Sequence, residues 1–167
     1  MALLKNGTQV SDQWLLAGDD TPVQADIPTI VSYKRFLAER DTLVRSRAEL
    51  GVKLAPGDDV AAIAADLPRL QVVPLDFPKF TDGRAYSTAR LLRQRYGFQG
   101  EVRATGDVLR DQYLFMKRAG FDAFQVKDGA ETQAWIAAMG ELSHYYQPAA
   151  DGTPAVWAQR HAIAAAE

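Results

Sequence analysis

The sequence predicts an α/β domain in which short strands and helices alternate along a mostly parallel sheet. Two observations predict this class. Short apolar runs bounded by turn residues recur along the chain, and amphipathic segments with apolar residues at three- and four-residue spacing lie between them. Such alternation is typical of a parallel sheet with helical crossovers. We expect about five strands flanked by helices, and a partial (βα) barrel, which produces the same alternation, is the alternative.

The first half of the chain contains four of the predicted strands. In chain order they are residues 13–17, 29–32, 50–55 and 70–77. A helix with an apolar stripe begins at Tyr33, and a second begins at Val60 after an Asp-containing turn at residues 56–59 that can cap it. Pro68 ends the second helix. Pro74 lacks the N–H that a ladder needs, which predicts that it lies at a sheet edge, a bulge or a strand end.

The second half contains a weak internal repeat. A Gly-Phe pair, at residues 97–98 and again at 120–121, follows an amphipathic helix and precedes a short strand, at residues 101–105 and 123–126. Each glycine is placed to end its helix in the left-handed conformation. Each phenylalanine can then fold back on the last helical turn.

The ends of the chain are less regular. A last helix is predicted near residues 131–142, with Trp135 in its apolar stripe, and the tail could return as a strand near Val156. We therefore interpret residues 1–167 as a single α/β domain in which residues 1–28 and 144–167 are less regular terminal segments.

The composition excludes several kinds of function. No cysteine is present, which excludes disulfides, thiol catalysis and cysteine-ligated iron–sulfur clusters. The two histidines, His144 and His161, lie far from the densest motif and argue against a histidine metal site. The net charge of −2 gives no general attraction for nucleic acid. Because there is no signal peptide and no run near the roughly 18 apolar residues of a membrane span, we expect a cytoplasmic protein.

Chemically versatile side chains cluster after the predicted strand 70–77. In parallel sheets, ligands bind at the carboxyl ends of strands, where helices also begin. Lys79 and Arg84 in the following loop, with the hydroxyls of Ser87 and Thr88 at a helix start, could bind one small anion together with backbone N–H groups. The alternative is structural: an acidic or hydroxyl side chain of the loop caps the helix, and both cations stay in solvent.

The next strand and loop repeat this arrangement. Arg103 lies within the predicted strand 101–105, where a buried arginine needs a partner. It could pair with Asp76 or Asp107, or point into the pocket. Asp107 is interpreted as the N-cap of a helix that carries Arg110. Arg103 and Arg110 complete the anion-binding candidates, and Asp76 and Asp107 are the acid–base candidates.

Two further patterns concern the same region. Arg84, Arg90, Arg93 and Arg95 make one helix basic, which indicates either an exposed charged face or a docking patch for an acidic protein or a flavin phosphate. The region also contains several aspartates, but no carboxylate cluster at helical spacing and no glycine-rich phosphate loop. We therefore predict no metal site.

The run DFPKFTDGRAYSTARLLR at residues 76–93 closely resembles a bacterial family, domain of unknown function 934. The likeness continues at residues 51–56, 100–104, 106–112, 120–124 and 146–148. Thr105 stands where the family pattern leads us to expect an aliphatic residue. Members are described as probable oxidoreductases involved in sulfite reduction, encoded beside the sulfite reductase haemoprotein. The resemblance thus implies a pathway, and it carries over no catalytic residues.

Three hypotheses follow. The resemblance implies an accessory protein of assimilatory sulfite reduction that binds a small oxyanion, or docks to the sulfite reductase haemoprotein or its electron donor. A noncovalent flavin or nicotinamide stays open as a cofactor. The second hypothesis is an enzyme with its own strand-end pocket, in which Asp76 or Asp107 is the acid–base and Arg84 with Arg103 clamps an oxyanion. The third is a structural or regulatory interaction module. A homodimer is compatible with all three.

Overall fold

In the part of the chain that the structure describes, eight strands form one sheet with helices packed against it. A computed structural model describes residues 1–127, 129, 132–139 and 145–158. The strands are β1 (Ala2–Lys5), β2 (Thr8–Val10), β3 (Leu15–Leu16), β4 (Thr29–Ser32), β5 (Leu50–Lys53), β6 (Val72–Phe77), β7 (Glu101–Gly106) and β8 (Ala123–Val126). Their order in the sheet is β2-β1-β8-β7-β6-β5-β4-β3. The strands β3 to β8 are parallel and consecutive, whereas β1 and β2 are antiparallel.

The helices follow the strands in the predicted alternation. They are α1 (Tyr33–Arg45), a 3₁₀ helix (Val60–Arg69), α2 (Arg84–Arg90) with a π-helical continuation (Leu91–Arg95), a short 3₁₀ turn (Arg110–Gln112) leading into α3 (Tyr113–Ala119), and α4 (Thr132–Met139). The α/β class is therefore confirmed, with six parallel strands where about five were expected. No helix in the described part of the chain is long and apolar enough to cross a membrane.

The sheet is strongly curled, because a very short segment joins its two edges. β2 lies at one edge and β3 at the other, yet only residues 11–14 connect them. Five residue steps reach at most about 18 Å. Seven strand spacings in a flat sheet would span about 34 Å. The sheet must therefore curl until its two edges approach each other, so that it forms about half of a barrel. This fits the expected alternative of a partial barrel. We call residues 11–14 the strap.

The two faces of the curled sheet have different chemistry. Val31, Val52, Val73 and Ala104 belong to the main hydrophobic core, together with side chains of the helices such as Phe36 and Met116. Residues of the opposite parity point to the inner face. They include Ile30, Gly51 and Val72, which occupy matching register positions on β4, β5 and β6, and Arg103 and Ala123, which occupy matching positions on β7 and β8. The outer face is thus apolar, whereas the inner face carries the buried charge of Arg103.

The Gly-Phe repeat behaves as its sequence predicts. Gly97 and Gly120 have φ angles of 62° and 108°, which are left-handed values that favour glycine. The N–H of Phe98 donates to the carbonyl of Leu92, and the N–H of Phe121 donates to that of Met116. Both phenylalanines are buried.

The N-terminal hairpin β1–β2 was not predicted, although the sequence carries a recognisable signal. Asn6 and Gly7 form its two-residue turn, with φ of 50° and 75°. An Asn-Gly turn with two positive φ angles is the preferred connection of tight hairpins. Part of the segment 1–28 is therefore integral to the sheet.

Pro74 lies inside the central strand β6, so its prediction at an edge, a bulge or a strand end was wrong. β5 and β6 pair at Gly51–Val72 and again at Leu54–Leu75, with an interruption between them. The carbonyl of Pro74 accepts from the N–H of Leu54, so the proline nitrogen faces β5 as well. Its missing N–H accounts for the interruption.

The tail differs from its prediction in one respect. Residues 156–158 are helical, so the strand expected near Val156 does not form. The N–H of Val156 instead donates to the carbonyl of Tyr145. The predicted end of the last helix, at residues 140–142, lies outside the described residues, as do His144 and His161.

Candidate functional site

Four polar residues stand at or near the carboxyl ends of consecutive parallel strands. Ser32 and Lys53 are the last residues of β4 and β5 and pair in register, while Asp76 of β6 pairs in register with Thr105 of β7. Alternation along the strands places all four on the inner face. This end of a parallel sheet is where ligands usually bind.

The central contact at this end is an ion pair between Lys53 and Asp76. The Lys53 Nζ lies 2.7 Å from the Asp76 Oδ1, and the Thr105 hydroxyl lies 3.2 Å from the same oxygen. The side chains of Lys53 and Asp76 keep 32% and 24% of their exposure. Side chains from three adjacent strands thus meet in this contact, and the pair is still reachable from solvent.

A cavity of about 630 Å³ opens above this pair. We call it the strand-end pocket; its polar lining consists of Asp19, Ser32, Tyr33, Lys34, Lys53, Asp58 and Asp76. Loops after β3 and β5 and the start of α1 form its walls. The hydroxyl of Ser32 caps α1 by accepting from the Arg35 N–H at 3.2 Å and donates to Asp19 at 3.3 Å. The volume of the strand-end pocket suits a small molecule.

The strand-end pocket is rich in hydrogen-bonding groups of both kinds. Its charged lining comprises the carboxylates of Asp19, Asp58 and Asp76 and the ammonium groups of Lys34 and Lys53. One oxygen of Asp58 accepts from the Ala55 N–H at 2.7 Å. Such a lining can accept hydrogen bonds from a ligand and also bind a negatively charged group.

The Tyr33 hydroxyl donates to the carbonyl of Asp59 at 3.0 Å, beside the strand-end pocket. Burial of the ring, followed by the nearby charges of Asp58 and Asp59, raises the pKa of Tyr33. The phenol therefore stays protonated and remains a donor to that carbonyl near neutral pH.

Arg84, predicted to bind an anion, is held by its own loop. Its guanidinium donates to both carboxylate oxygens of Asp82, at 3.0 and 2.6 Å, and to the carbonyl of Pro56 at 3.4 Å. Asp82 also accepts from the Arg84 N–H at the start of α2. These bonds, first the one from the Arg84 side chain, lower the pKa of Asp82 to about 2. The structural alternative therefore holds only in part: Asp82 bonds the first N–H of α2, but the N-cap of that helix is Gly83, which has no side-chain cap, and Arg84 is paired with Asp82.

The remaining anion candidates of this loop and helix do not share one site. Lys79, Ser87 and Arg110 are exposed. The hydroxyl of Thr88 donates to the carbonyl of Arg84, one turn earlier in the helix. None of these four residues lines the strand-end pocket.

Arg103 is buried on the inner face and takes partners that were not expected. Its Nη1 lies 2.8 Å from the Asp12 Oδ2 in the strap, and its Nε lies 2.6 Å from the Glu101 Oε1. Lys5 pairs with the second oxygen of Glu101. The predicted pairing of Arg103 with Asp76 or Asp107 was therefore wrong, because Asp12 of the strap and Glu101 of β7 itself supply the opposing charges.

Asp107 joins two loops and caps no helix, so its prediction as an N-cap was wrong. Its carboxylate accepts from the Phe80 N–H at 3.2 Å and from Lys127 at 3.4 Å. Gln112 donates to the carbonyl of Phe80 at 2.7 Å. The turn and helix that follow begin after Leu109 and Gln112, without a side-chain cap. The loops after β6 and β7 do meet at the carboxyl ends of these strands, as expected.

The arginines of α2 and its continuation separate into different environments. Arg93, expected either on an exposed charged face or in a docking patch, keeps only 15% side-chain exposure. It donates to the carbonyls of Phe98, Gly100 and Gly120 and pairs with Asp122. Arg93 is thus a structural connector between the two Gly-Phe turns. Arg90 and Arg95 are exposed.

Sequence reasoning identified Asp76 and missed most of the pocket around it. A usable signal was present: the apolar runs of β4 and β5 each end in a polar residue, Ser32 and Lys53. The rule that sites form at carboxyl ends of strands could have selected both. Asp19 and Asp58 had no comparable signal, since each lies in a turn where aspartate is common. Within the described residues, no group of three metal-ligating side chains is present.

A protein-family model matches most of the chain. The model of a family described as "Bacterial protein of unknown function (DUF934)" matches residues 51–157, which is more than half of the chain. The matched part includes Lys53, Asp76 and Thr105, while Asp19 and Ser32 precede it. No curated protein matches the chain.

Proposed function

The chain belongs to the DUF934 family of bacterial proteins of unknown function, and from its geometry we propose that it binds a small polar ligand in the strand-end pocket. The observation that carries this proposal is the Lys53–Asp76 pair, which lies 2.7 Å apart on the floor of a cavity of about 630 Å³. Charged groups are costly to bury on an inner sheet face. A partly exposed ion pair that lines a cavity is instead placed to bind a polar ligand.

The ligand needs groups that match both members of the pair. Lys53 offers N–H donors, and Asp76 offers acceptor oxygens. A singly protonated oxyanion, such as hydrogen sulfite, supplies negative oxygens for Lys53 and a proton for Asp76. We therefore propose an accessory role in assimilatory sulfite reduction, in line with the resemblance described above. Its partner would be the sulfite reductase haemoprotein or its electron donor.

Ligand binding is tested by thermal unfolding and calorimetry with sulfite, sulfate and phosphate. We expect sulfite to raise the melting temperature of the wild-type protein. Lys53→Met should weaken its binding at least about tenfold, as loss of a charge-assisted contact does. Lys79→Met is the matched control, because Lys79 is exposed outside the pocket. Equal binding by all three proteins would contradict the pocket.

The pathway is tested separately in cells. A deletion strain carrying the Lys53→Met gene should grow on sulfide and fail on sulfate or sulfite as sole sulfur source. Co-purification from sulfate-grown cells should recover a component of sulfite reductase. Normal growth of the variant despite lost ligand binding would refute the sulfur role and leave the pocket intact.

A second candidate is an enzyme that uses Asp76 as acid–base. The contacts of Asp76 with Lys53 and Thr105 favour it, because both would orient the carboxylate and balance its charge. The oxyanion clamp predicted for Arg84 and Arg103 is not part of this candidate, because Arg84 pairs with Asp82 and Arg103 pairs with Asp12 and Glu101. Asp76→Asn distinguishes the candidates: an enzyme loses turnover of a bound ligand, whereas a binding protein shows no turnover to lose.

A further inference from the structure

A second groove lies on the helical side of the molecule, between α2, α3 and residues 145–149. Its volume is about 360 Å³. We call it the α2–α3 groove and define it by Tyr86, Arg90, Phe115, Arg118, Tyr145 and Pro148. It shares no residue with the strand-end pocket.

The groove presents an exposed aromatic side chain, Phe115. Phe115 is 71% exposed, although its helix α3 buries Tyr113, Met116 and Ala119 in the core. Tyr146, next to the groove wall, is 80% exposed. Exposed aromatic side chains on a fixed helix are characteristic centres of protein–protein contact.

The charge of the groove has one sign. Arg90 and Arg118 lie in its lining, and no carboxylate does so among the described residues. Arg118 is fixed: it stacks over the Tyr145 ring at 3.7 Å, donates to the Gln147 carbonyl at 2.6 Å and faces Asp151 at 3.4 Å. Arg90 is exposed and has no ion pair within the described chain. A cation without a partner beside an exposed phenylalanine is complementary to an acidic, apolar ligand.

We propose that the α2–α3 groove binds a short acidic segment of a partner protein that carries a large apolar side chain. The apolar side chain packs on Phe115, and a neighbouring carboxylate pairs with Arg90. Arg118 and Tyr145 form the fixed wall. Of the four arginines that the sequence placed on this helix, Arg90 alone lines the groove: Arg84 pairs with Asp82, Arg93 is internal and Arg95 stacks near Tyr96.

Fluorescence anisotropy with a labelled hexapeptide, one phenylalanine among five glutamates, tests the groove on the full-length protein. We expect saturable binding that weakens as salt is raised. Phe115→Ala and Arg90→Glu should each weaken binding at least about tenfold, as substitution of a central contact does. A peptide of six glutamates should bind more weakly than the phenylalanine-containing one.

The controls separate the groove from general charge and general stickiness. Arg95→Glu, on the same helix outside the groove, and Phe80→Ala, at an exposed site in the loop after β6, should change the affinity less than about twofold. Lys53→Met should leave it unchanged, so the strand-end pocket can fail without affecting this result. Absent binding, or equal loss in Arg95→Glu, would overturn the proposal. So would a dimer in sedimentation velocity that Phe115→Ala dissociates, because a second copy would then be the occupant.

Discussion

Asp12 of the strap pairs with Arg103 of β7 across the open side of the curled sheet, at 2.8 Å between Oδ2 and Nη1. The two residues are 91 positions apart in the chain. Arg103 is only 2% exposed, so its charge depends on Asp12 and Glu101 for compensation. The pair fastens the segment that joins both sheet edges, and it thereby maintains the curvature of the partial barrel.

Removing the strap carboxylate should destabilise the fold. We expect Asp12→Asn to lower the free energy of unfolding by about 2 kcal/mol, since Arg103 loses a charged hydrogen-bond partner and keeps Glu101. Urea unfolding measures the effect, with the exposed Asp20→Asn as control. Arg103→Met combined with Asp12→Asn should cost less than the sum of the single substitutions, because neither then leaves an unpaired charge. Strict additivity would show that the pair is not coupled.

The close approach of strands on the inner face predicts a second effect. A Cβ at Gly51 would lie 2.4 Å from the Cγ1 of Val72 and 2.9 Å from that of Ile30. Gly51→Ala should therefore lower the free energy of unfolding by about 2 kcal/mol through overpacking. Gly83→Ala is the matched control, because its Cβ would meet nothing within 4 Å. Similar unfolding midpoints for the two variants would mean that the inner face is looser than described.

Local patterns predicted most of the parallel sheet and much of its helical cover. β4 and β8 have the predicted boundaries, and Gly97 and Gly120 end their helices as expected. These features depend on short-range rules of apolar runs and glycine conformation, which the sequence states directly. The same holds for Asp76, whose position near the end of an apolar strand marks it as a strand-end residue.

Features decided by distant residues could not be predicted in this way. The partner of Arg103 comes from the strap, and no local rule connects positions 12 and 103. Asp107 looks like a helix cap, yet the neighbouring loop offers it the N–H of Phe80. Pro74 lies inside β6 although proline lacks the N–H that a strand ladder needs. The ladder between β5 and β6 is interrupted at this point, so the missing donor is tolerated. Each of these depends on which strands become neighbours.

The pair Asp82–Arg84 predicts a pH dependence at the start of α2. The folded pKa of Asp82, about 2, lies below its ordinary value of 3.8 because the Arg84 side chain bonds the carboxylate. A depressed carboxylate pKa adds stability that is present above the unfolded pKa and is lost as the pH falls through about 2. Carbon-13 NMR titration should show the pKa of Asp82 moving up in Arg84→Met and staying in place in Arg95→Met. An unchanged value in Arg84→Met would mean that the backbone N–H alone sets it.

The connector Arg93 provides the most demanding test of the fold. Its planar guanidinium bonds three carbonyls, those of Phe98, Gly100 and Gly120, while also pairing with Asp122. Lysine keeps the charge but cannot reproduce this fork, so some of these carbonyls lose their donor. We expect Arg93→Lys to lower the free energy of unfolding by about 2–3 kcal/mol, as buried acceptors without partners do.

Arg95→Lys is the control for this prediction, because Arg95 is exposed near Tyr96 on the same π-helical turn. Chemical denaturation gives the free energies, and amide hydrogen exchange locates the change. Protection of the Phe98 and Phe121 amides, which bond back to the preceding helices, should fall in Arg93→Lys and persist in Arg95→Lys. If both variants unfold at the wild-type midpoint, the two Gly-Phe turns are held by their own backbone bonds, and Arg93 has no role as a connector.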